Sequence, residues 1–276
     1  YGGTNADSTN ATNFYTVRGH SEIRFCLAQR TPTNQATNGI DRVVSSTVSN
    51  SSQTNDPIKS TSAGGADAWD PNSYINIWLC NFNDPTLLGY GTFPIGTAEG
   101  GTILNQQGVV VLAQSIPGGN ASPYNGGRTL THELGHFFWL RHIWGDGGGC
   151  ANDFPNTPGI DDTPAQSGAS SGCPSGTIAA GCGSPNPPGK MYQNFMDYTD
   201  DGCMNMFTAG QTARMQALFA TGGARASLLS SLGCQAPTAS CGVAASLSAS
   251  AVTTTSATLN WGAVSGAVSY NVQYRV

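Results

Sequence analysis

The sequence predicts an α+β fold in which short strands lead into one helix, a long irregular stretch is closed by a second helix, and a separate all-β segment follows. Three observations carry this. Apolar and β-branched runs of strand length recur at 21–28, 74–82, 88–93 and 108–116, each bounded by Gly, Pro, Asn or Ser. A helical pattern opens near Arg128 and runs through two histidines four residues apart. Beyond Cys234 the texture changes to short alternating segments separated by turn residues.

Along the chain, Ser21 to Ala28 alternates and reads as a strand, and Tyr74 to Phe82 is the strongest strand pattern of the first half. Leu88 to Phe93 and Gly108 to Ile116 follow as shorter strands, then a glycine-rich loop at Gly118 to Gly127. From Gly145 to Tyr192 there is almost no periodicity, and a loop of that length needs disulfides or bound ions to order it. Thr208-Ala-Gly-Gln211 has the form of a capping box opening a helix to about Ala220, and a shorter helix spans about Ala224 to Leu232.

Composition bounds the function. Charged residues are 10% of the chain against roughly 25% in typical soluble domains, and the net charge is −5, which argues against a nucleic-acid partner. No apolar run reaches the roughly 20 residues of a membrane span. The first residue is Tyr1 and no signal peptide is visible. The eight cysteines lack zinc-ribbon spacing, and four of them crowd the irregular stretch from Cys150 to Cys203. That pattern reads as disulfides formed in an oxidising compartment, hence a secreted protein, and a monomer is expected.

The chemistry sits in Thr131-His-Glu-Leu-Gly-His136-Phe-Phe-Trp-Leu-Arg-His142. Positions i and i+4 share a helix face, so His132 and His136 can present two imidazoles to one ion. Glu133 is beside the first ligand, where it can reach a water on the metal and act as general base. His142 can join them only if the chain turns back just after the helix. Three protein ligands leave a fourth position open, the mark of a catalytic zinc site. Three of the four histidines and one of the three glutamates fall within this segment, and a surface or structural role is the better reading of His20.

These residues resemble the metzincin clan, whose pattern is H-E-x-x-H-x-x-G-x-x-H followed by a methionine-containing turn, and within it the pappalysin family of metalloendopeptidases. Asn194-Phe-Met-Asp-Tyr198, which begins 52 residues after His142, resembles that turn. Phe25-Cys-Leu-Ala28, Ile75-Asn-Ile-Trp-Leu-Cys80, His142-Ile-Trp-Gly-Asp146 and Asp161-Asp-Thr-Pro164 resemble pappalysin segments as well. The likeness covers about residues 1–232.

The resemblance implies a twisted mixed sheet with an active-site helix and an irregular C-terminal subdomain, in a catalytic domain at 1–233 from which an N-terminal strand and helix are missing. It implies a zinc-dependent endopeptidase acting on protein or peptide substrates, Met196 as an apolar floor under the metal, and Tyr198 as an oxyanion stabiliser. It also implies calcium held near Asp153, Asp161, Asp162 and Thr163, against the alternative of solvated turn carboxylates. The disulfides it implies are Cys150–Cys182 and Cys173–Cys203. Cys26 and Cys80 lie in strand patterns and read as buried thiols, and Cys234 can pair locally with Cys241 across the 234–241 linker. Asp200 and Asp201 are placed to line the S1′ pocket and select a basic P1′ residue, or else form a solvated acidic turn.

One departure stands out: the motif glycine between His136 and His142 is Trp139 here. Gly serves there because the helix ends in a left-handed conformation. Either Trp139 accepts that conformation or the turn is built differently. Residues 242–276 resemble the opening strands of a fibronectin type III module, with Trp261 and Tyr270 as core aromatics, and they are too few for a module of about 100 residues, so a truncated β-sandwich is expected. Two other functions compete. One is a catalytically impaired protease-like module serving adhesion or substrate docking. The other is a non-peptidase metal hydrolase, which the third histidine and the methionine turn oppose.

Overall fold

The computed structural model describes residues 12–52, 54–145, 150, 159–182, 189–237, 244–264, 267, 270 and 272. Its centre is a mixed three-stranded sheet in the order β2-β4-β3, with β2 at Ile77–Cys80, β3 at Gly89–Gly91 and β4 at Val109–Leu112, beside a two-stranded pair in which β1 at Arg18–Gly19 runs against β5 at Phe207–Thr208. β2 runs parallel to β4, with Ile77 opposite Val109 and Cys80 opposite Leu112, while β3 is antiparallel, with Gly89 opposite Val111. The middle strand is covered on both faces, so Val109, Val110 and Val111 are fully buried and the sequence there is continuously apolar rather than alternating.

Helix α1, Arg128–Phe137, lies on one face, where Val109 and Val111 join a core with Leu134, Phe137 and Phe138. On the other face Val110 packs with Trp78, Cys80, Tyr90 and Ile58. Gly127 offers α1 no side-chain cap. A distant carboxylate takes that place: Asp201 Oδ2 accepts from the N–H groups of Gly126 (2.7 Å) and Arg128 (3.1 Å). Helix α2, Ala209–Ala217, opens with the reciprocal capping box of Thr208 and Gln211. Asp162 reinforces it, accepting from the Gly210 N–H at 2.7 Å. The helix stops three residues short of the expected Ala220, and the next helical segment is a 3₁₀ turn at Ala226–Ser230.

Buried Arg225 leads out of that region into the core. It donates to the Phe137 carbonyl at the end of α1 (3.2 Å) and to Gln107 Oε1 (2.8 Å), with its guanidinium 3.6 Å from the Phe137 ring centre. A cation at a helix C-terminus meets the negative end of the helix dipole.

Two expectations are corrected. Residues 21–28 form no ladder with a neighbouring strand among the described residues, and Phe25 and Leu27 are 49% and 63% exposed. Alternation makes a strand only where an adjacent strand offers backbone partners. This segment is held differently. Cys26 is bonded to Cys234, 208 residues away, so Cys26 is not a thiol and Cys234 does not pair locally with Cys241. The Gln29 N–H donates to the Gly233 carbonyl (2.8 Å) and the Arg30 guanidinium to the carbonyls of Gln235 and Ala236, so two distant segments run side by side and hold the two cysteines together. Cys241 lies outside the described residues. Cys80 is a buried thiol, pushed up to about 11 by burial.

At the C-terminal end, β6 at Ser248–Ser250 pairs antiparallel with β7 at Thr258–Asn260, and the Trp261 and Tyr270 rings lie 5.4 Å apart. Of the segment from Ser269 to Val276, only Tyr270 and Val272 are among the described residues. No helix among the described residues is long and apolar enough to cross a membrane.

The sheet face away from α1 carries a buried cation. Lys59 donates to the Gln106 carbonyl (2.8 Å) between the rings of Trp78 and Tyr90, near an Asp56 carboxylate that accepts from Tyr90 Oη (2.8 Å) and from Ser49. Burial pulls the Lys59 ammonium down to about 8 from 10.5. Between those values the unfolded chain binds more protons than the folded one, so this group makes stability rise with pH from about 8 towards 10.5. Lys59→Met removes that contribution: urea midpoints from pH 7.5 to 10 should show the parent gaining roughly 1–3 kcal/mol on the variant, and parallel curves would show that Lys59 stays charged without cost.

Candidate metal centre

Helix α1 aims His132 and His136 from one face at a common point, and all three side chains of His132, Glu133 and His136 are buried. Strand β3 walls the site because its glycines permit it. A Cβ on Gly91 would run into the Glu133 carbonyl oxygen, and one on Gly89 would come within 2.9 Å of Glu133 Cγ. Burial pushes the Glu133 carboxyl up to about 8, against a smaller opposing effect of the Gly91 N–H.

The helix ends in a left-handed turn, and Trp139 accepts it, at φ +67°. The hydrogen bonds are those of a Schellman motif: the Leu140 N–H donates to the Gly135 carbonyl (2.9 Å) and the Trp139 N–H to the His136 carbonyl (2.9 Å). A bulky residue in this region costs roughly 1–2 kcal/mol. In return the chain reverses at once, which brings His142 back to the other two histidines.

The three histidine ligand atoms lie within 4.8 Å of one another, and no other such group of His, Cys, Asp or Glu occurs among the described residues. His132 Nδ1 lies 2.7 Å from the Phe195 carbonyl and His136 Nδ1 lies 2.7 Å from the Leu140 carbonyl. A carbonyl only accepts, so each Nδ1 carries the proton and Nε2 is left as the lone-pair donor. Burial first, then the neighbouring His136 and His142, holds His132 well below the usual imidazole range, so it stays in the neutral form that a metal requires. Neutral imidazoles with buried supports fit zinc.

Around this triad the Met-turn supplies three things. Met196, fully buried, puts its sulfur against Gly135, where a Cβ would overlap it. Its carbonyl accepts from the Ile143 N–H (3.3 Å), which ties the turn to the third ligand. The Tyr198 hydroxyl, on a side chain half exposed to solvent, lies 2.9 Å from His142 Nε2. The turn is itself held by Asn194, which exchanges hydrogen bonds of 2.7 and 3.0 Å with Gln211 of the α2 capping box.

The acidic residues expected at calcium and at S1′ sit as follows. Asp201 is buried at the start of α1, and burial raises its carboxyl; Asp200, beside it, is half-buried. Asp162 accepts from Thr208 Oγ1 (2.6 Å) as well as Gly210, and Thr163 Oγ1 donates to the Ile160 carbonyl (2.8 Å). Asp161 is exposed, and Asp153 lies outside the described residues. Cys150 is bonded to Cys182 and Cys173 to Cys203, and the second bond attaches the irregular stretch just beyond the Met-turn.

Residue-by-residue reading of the motif overlooks Trp144. Its ring stacks on His142 with centroids 4.4 Å apart and planes 3° from parallel, and it meets Tyr198 edge-on at 4.9 Å. An aromatic two residues after a ligand is the available signal. Gly89 and Gly91 also escape such a reading, because the need for their lost side chains lies in a helix 40 residues away.

The site is a cluster of three histidines that could hold a metal ion, with a buried carboxylate next to the first of them in the helix, carried on a mixed sheet and a single helix. The chain belongs to the family whose model, Peptidase_M43, is described as pregnancy-associated plasma protein-A and matches residues 59–220. A protein named extracellular metalloprotease from Verticillium alfalfae is 45% identical over 130 residues, 47% of this chain and 44% of that protein. One of the same name from Arthroderma benhamiae is 40% identical over 146 residues, 52% of this chain and 47% of that one. The chain thus spans less than half the length of these relatives. Among solved structures, mirolysin in complex with a compound superposes with a TM-score of 0.72, and mature mirolysin of Tannerella forsythia in complex with a cleaved peptide with 0.73, each at 43% identity over 81% of both chains.

Because Gly135 rests directly on the Met196 sulfur, Gly135→Ala forces the helix off the Met-turn. The expected cost is about 1–3 kcal/mol of stability together with weaker zinc retention under competing chelator. Gly135→Ala/Met196→Ala should recover part of the zinc affinity, and no recovery would place the clash elsewhere.

Proposed function

We propose that the chain is a secreted zinc-dependent endopeptidase. The observation that supports it most is the convergence of the His132, His136 and His142 ligand atoms on one point, with the Tyr198 hydroxyl against His142 and buried Glu133 next to His132 in the helix; three protein ligands would leave a fourth metal position for water or substrate. The names of the relatives and the disulfides support the extracellular location. His132, His136 and His142 would hold the metal. When bound, zinc supplies a Lewis acid that polarises the scissile carbonyl and eases deprotonation of the attacking water. Glu133 accepts that proton and delivers it to the leaving amine. Its burial suits the first transfer: a carboxylate that is costly to keep ionised is a stronger base and takes up the water's proton readily. Tyr198 is within reach of the third ligand and donates its hydroxyl proton to the developing oxyanion.

Glu133→Ala should lower kcat by roughly 10²–10⁴ with zinc still bound. Tyr198→Phe should lower kcat by about 10² with little change in KM. Chelation of zinc should abolish cleavage of casein. Zinc bound by the parent without any turnover would favour the docking-module reading instead.

For specificity, the Asp200 carboxylate supports a preference for Arg or Lys at P1′, since the Asp201 carboxylate is occupied by main-chain donors. Across a peptide panel differing only at P1′, Arg should be cleaved at least tenfold faster than Leu, and Asp200→Asn should remove most of that ratio. Equal rates in the parent would dismiss Asp200 as the selector.

The same reading retains a structural calcium on the stretch bearing Asp153, Asp161, Asp162 and Thr163, supported by the resemblance and tested by whether a calcium-selective chelator lowers the thermal midpoint without stripping zinc. It divides the chain into a catalytic unit at 1–233, a linker at 234–241 and a partial fibronectin type III-like segment at 242–276. The β6–β7 pair and the Trp261–Tyr270 contact support the last of these. Limited proteolysis that cuts first within 234–241 is the expected outcome, and first cuts elsewhere would redraw the boundary.

A further inference from the structure

Trp139 occupies the position where the clan pattern has glycine, in a backbone conformation that glycine adopts more readily. Its indole is engaged. Nε1–H donates to Glu99 Oε2 (3.2 Å), and the Arg214 guanidinium lies 5.2 Å from its ring centre. The other oxygen of the same carboxylate forms an ion pair with Arg141, whose side chain is 3% exposed. Glu99 therefore holds residues on both sides of Leu140, and the Leu140 carbonyl is the group that accepts from His136 Nδ1 at 2.7 Å.

Glu99 belongs to the segment that leaves β3. That segment passes Phe93, whose ring meets the His136 imidazole edge-on at 5.4 Å, then turns through Pro94 to Gly100, with the Thr97 and Gly100 N–H groups bonded back to the Pro94 and Thr97 carbonyls. The result is a closed circuit. One side of His136 is fixed by the Phe93 ring, the hydrogen-bonding edge by the Leu140 carbonyl, and the two supports are joined to each other through Glu99.

We propose that Trp139, Glu99 and Arg141 form a latch that positions the zinc ligand His136, and that Trp139 is a positioning residue rather than a tolerated defect. The inference rests on the zinc reading above. The latch holds the outer surroundings of a ligand, whose loss lowers metal affinity by about 10–100-fold in comparable sites.

The test is zinc affinity, measured on the full chain by competition with a chromogenic chelator, alongside the thermal midpoint of the metal-free protein and peptide cleavage in zinc buffers. Trp139→Gly restores the residue that suits the backbone, yet should weaken zinc binding about tenfold or more while the metal-free midpoint stays level or rises. Cleavage should fall at low buffered zinc and return to within about threefold of the parent once zinc exceeds the variant's dissociation constant. Glu99→Gln, which keeps the shape and removes the ion pair, should act in the same direction without touching the turn, and it carries the test by itself if Trp139→Gly does not fold. Trp139→Phe, which keeps the ring and removes the N–H, should fall between. The Trp139→Gly/Glu99→Gln double variant should be little worse than the stronger single one, since both break one circuit.

Zinc affinity unchanged in both single variants overturns the latch, and so do losses that simply add. A parent that binds no zinc removes the metal-centre reading itself and the latch with it, an outcome distinct from a zinc-binding parent matched by its variants.

Discussion

Two backbone carbonyls, those of Phe195 and Leu140, lie against Nδ1 of His132 and His136 and so decide which nitrogen would face the proposed metal, and much of the structure around the cluster delivers them. One comes from the turn at the end of α1 and the other from the Met-turn some 60 residues on, so the site is complete only when helix and turn are packed together. Gly135 allows that packing by giving its side-chain space to the Met196 sulfur. Gly89 and Gly91 do the same on the opposite side for β3. Small residues at these contacts set the distance between backbone elements, and that distance sets the ligand geometry. Each support is main chain placed by the packing of helix against turn.

The elements closest to the chemistry are the most legible in the sequence. The i, i+4 histidines, the carboxylate beside the first and the capping box at Thr208 are local patterns, and α1 and α2 begin where those patterns place them. The strand patterns at 74–82, 88–93 and 108–116 each contain an observed strand, though a shorter one. The pattern at 21–28 has no ladder, because pairing is a property of two segments and only one of them is in view when a sequence is read. The same holds for Cys26. Its partner lies 208 residues away, and the hydrogen bonds that bring the two segments together involve Gln29 and Arg30, residues without any signal of their own. Trp144 is hidden for a different reason: an aromatic near a ligand reads as core until its plane is seen parallel to the imidazole.

Trp139 shows how a departure from a motif can be absorbed. The Schellman hydrogen bonds need a left-handed residue, not glycine as such, and glycine is favoured only because it adopts that conformation at little cost. A side chain there is tolerated when its contacts offset roughly 1–2 kcal/mol of backbone strain. The indole N–H to a carboxylate and the guanidinium over the ring are contacts of that magnitude. The motif glycine therefore records a backbone requirement, and the requirement survives here by other means.

The carboxylates make a related point about a chain with few charges. In the sequence, Asp162 and Asp201 are candidates for calcium and for a basic substrate residue, since a hard anionic oxygen suits both. In the structure each bonds main-chain N–H groups at the start of a helix, Asp162 at α2 and Asp201 at α1. The start of a helix presents unsatisfied N–H groups and a partial positive charge, so it competes for the same oxygen atoms as a cation does. Sequence spacing does not separate the two uses, because the capping carboxylates lie 48 and 75 residues from the N–H groups of Gly210 and Gly126 that they bind. The consequence is functional as well as structural. By capping α1 from beyond the Met-turn, Asp201 fixes the helix that carries two of the ligands to the segment that carries Tyr198. The acidic pair after the turn thus divides: Asp201 holds the scaffold through main-chain N–H groups, while Asp200 stays half-buried beside it.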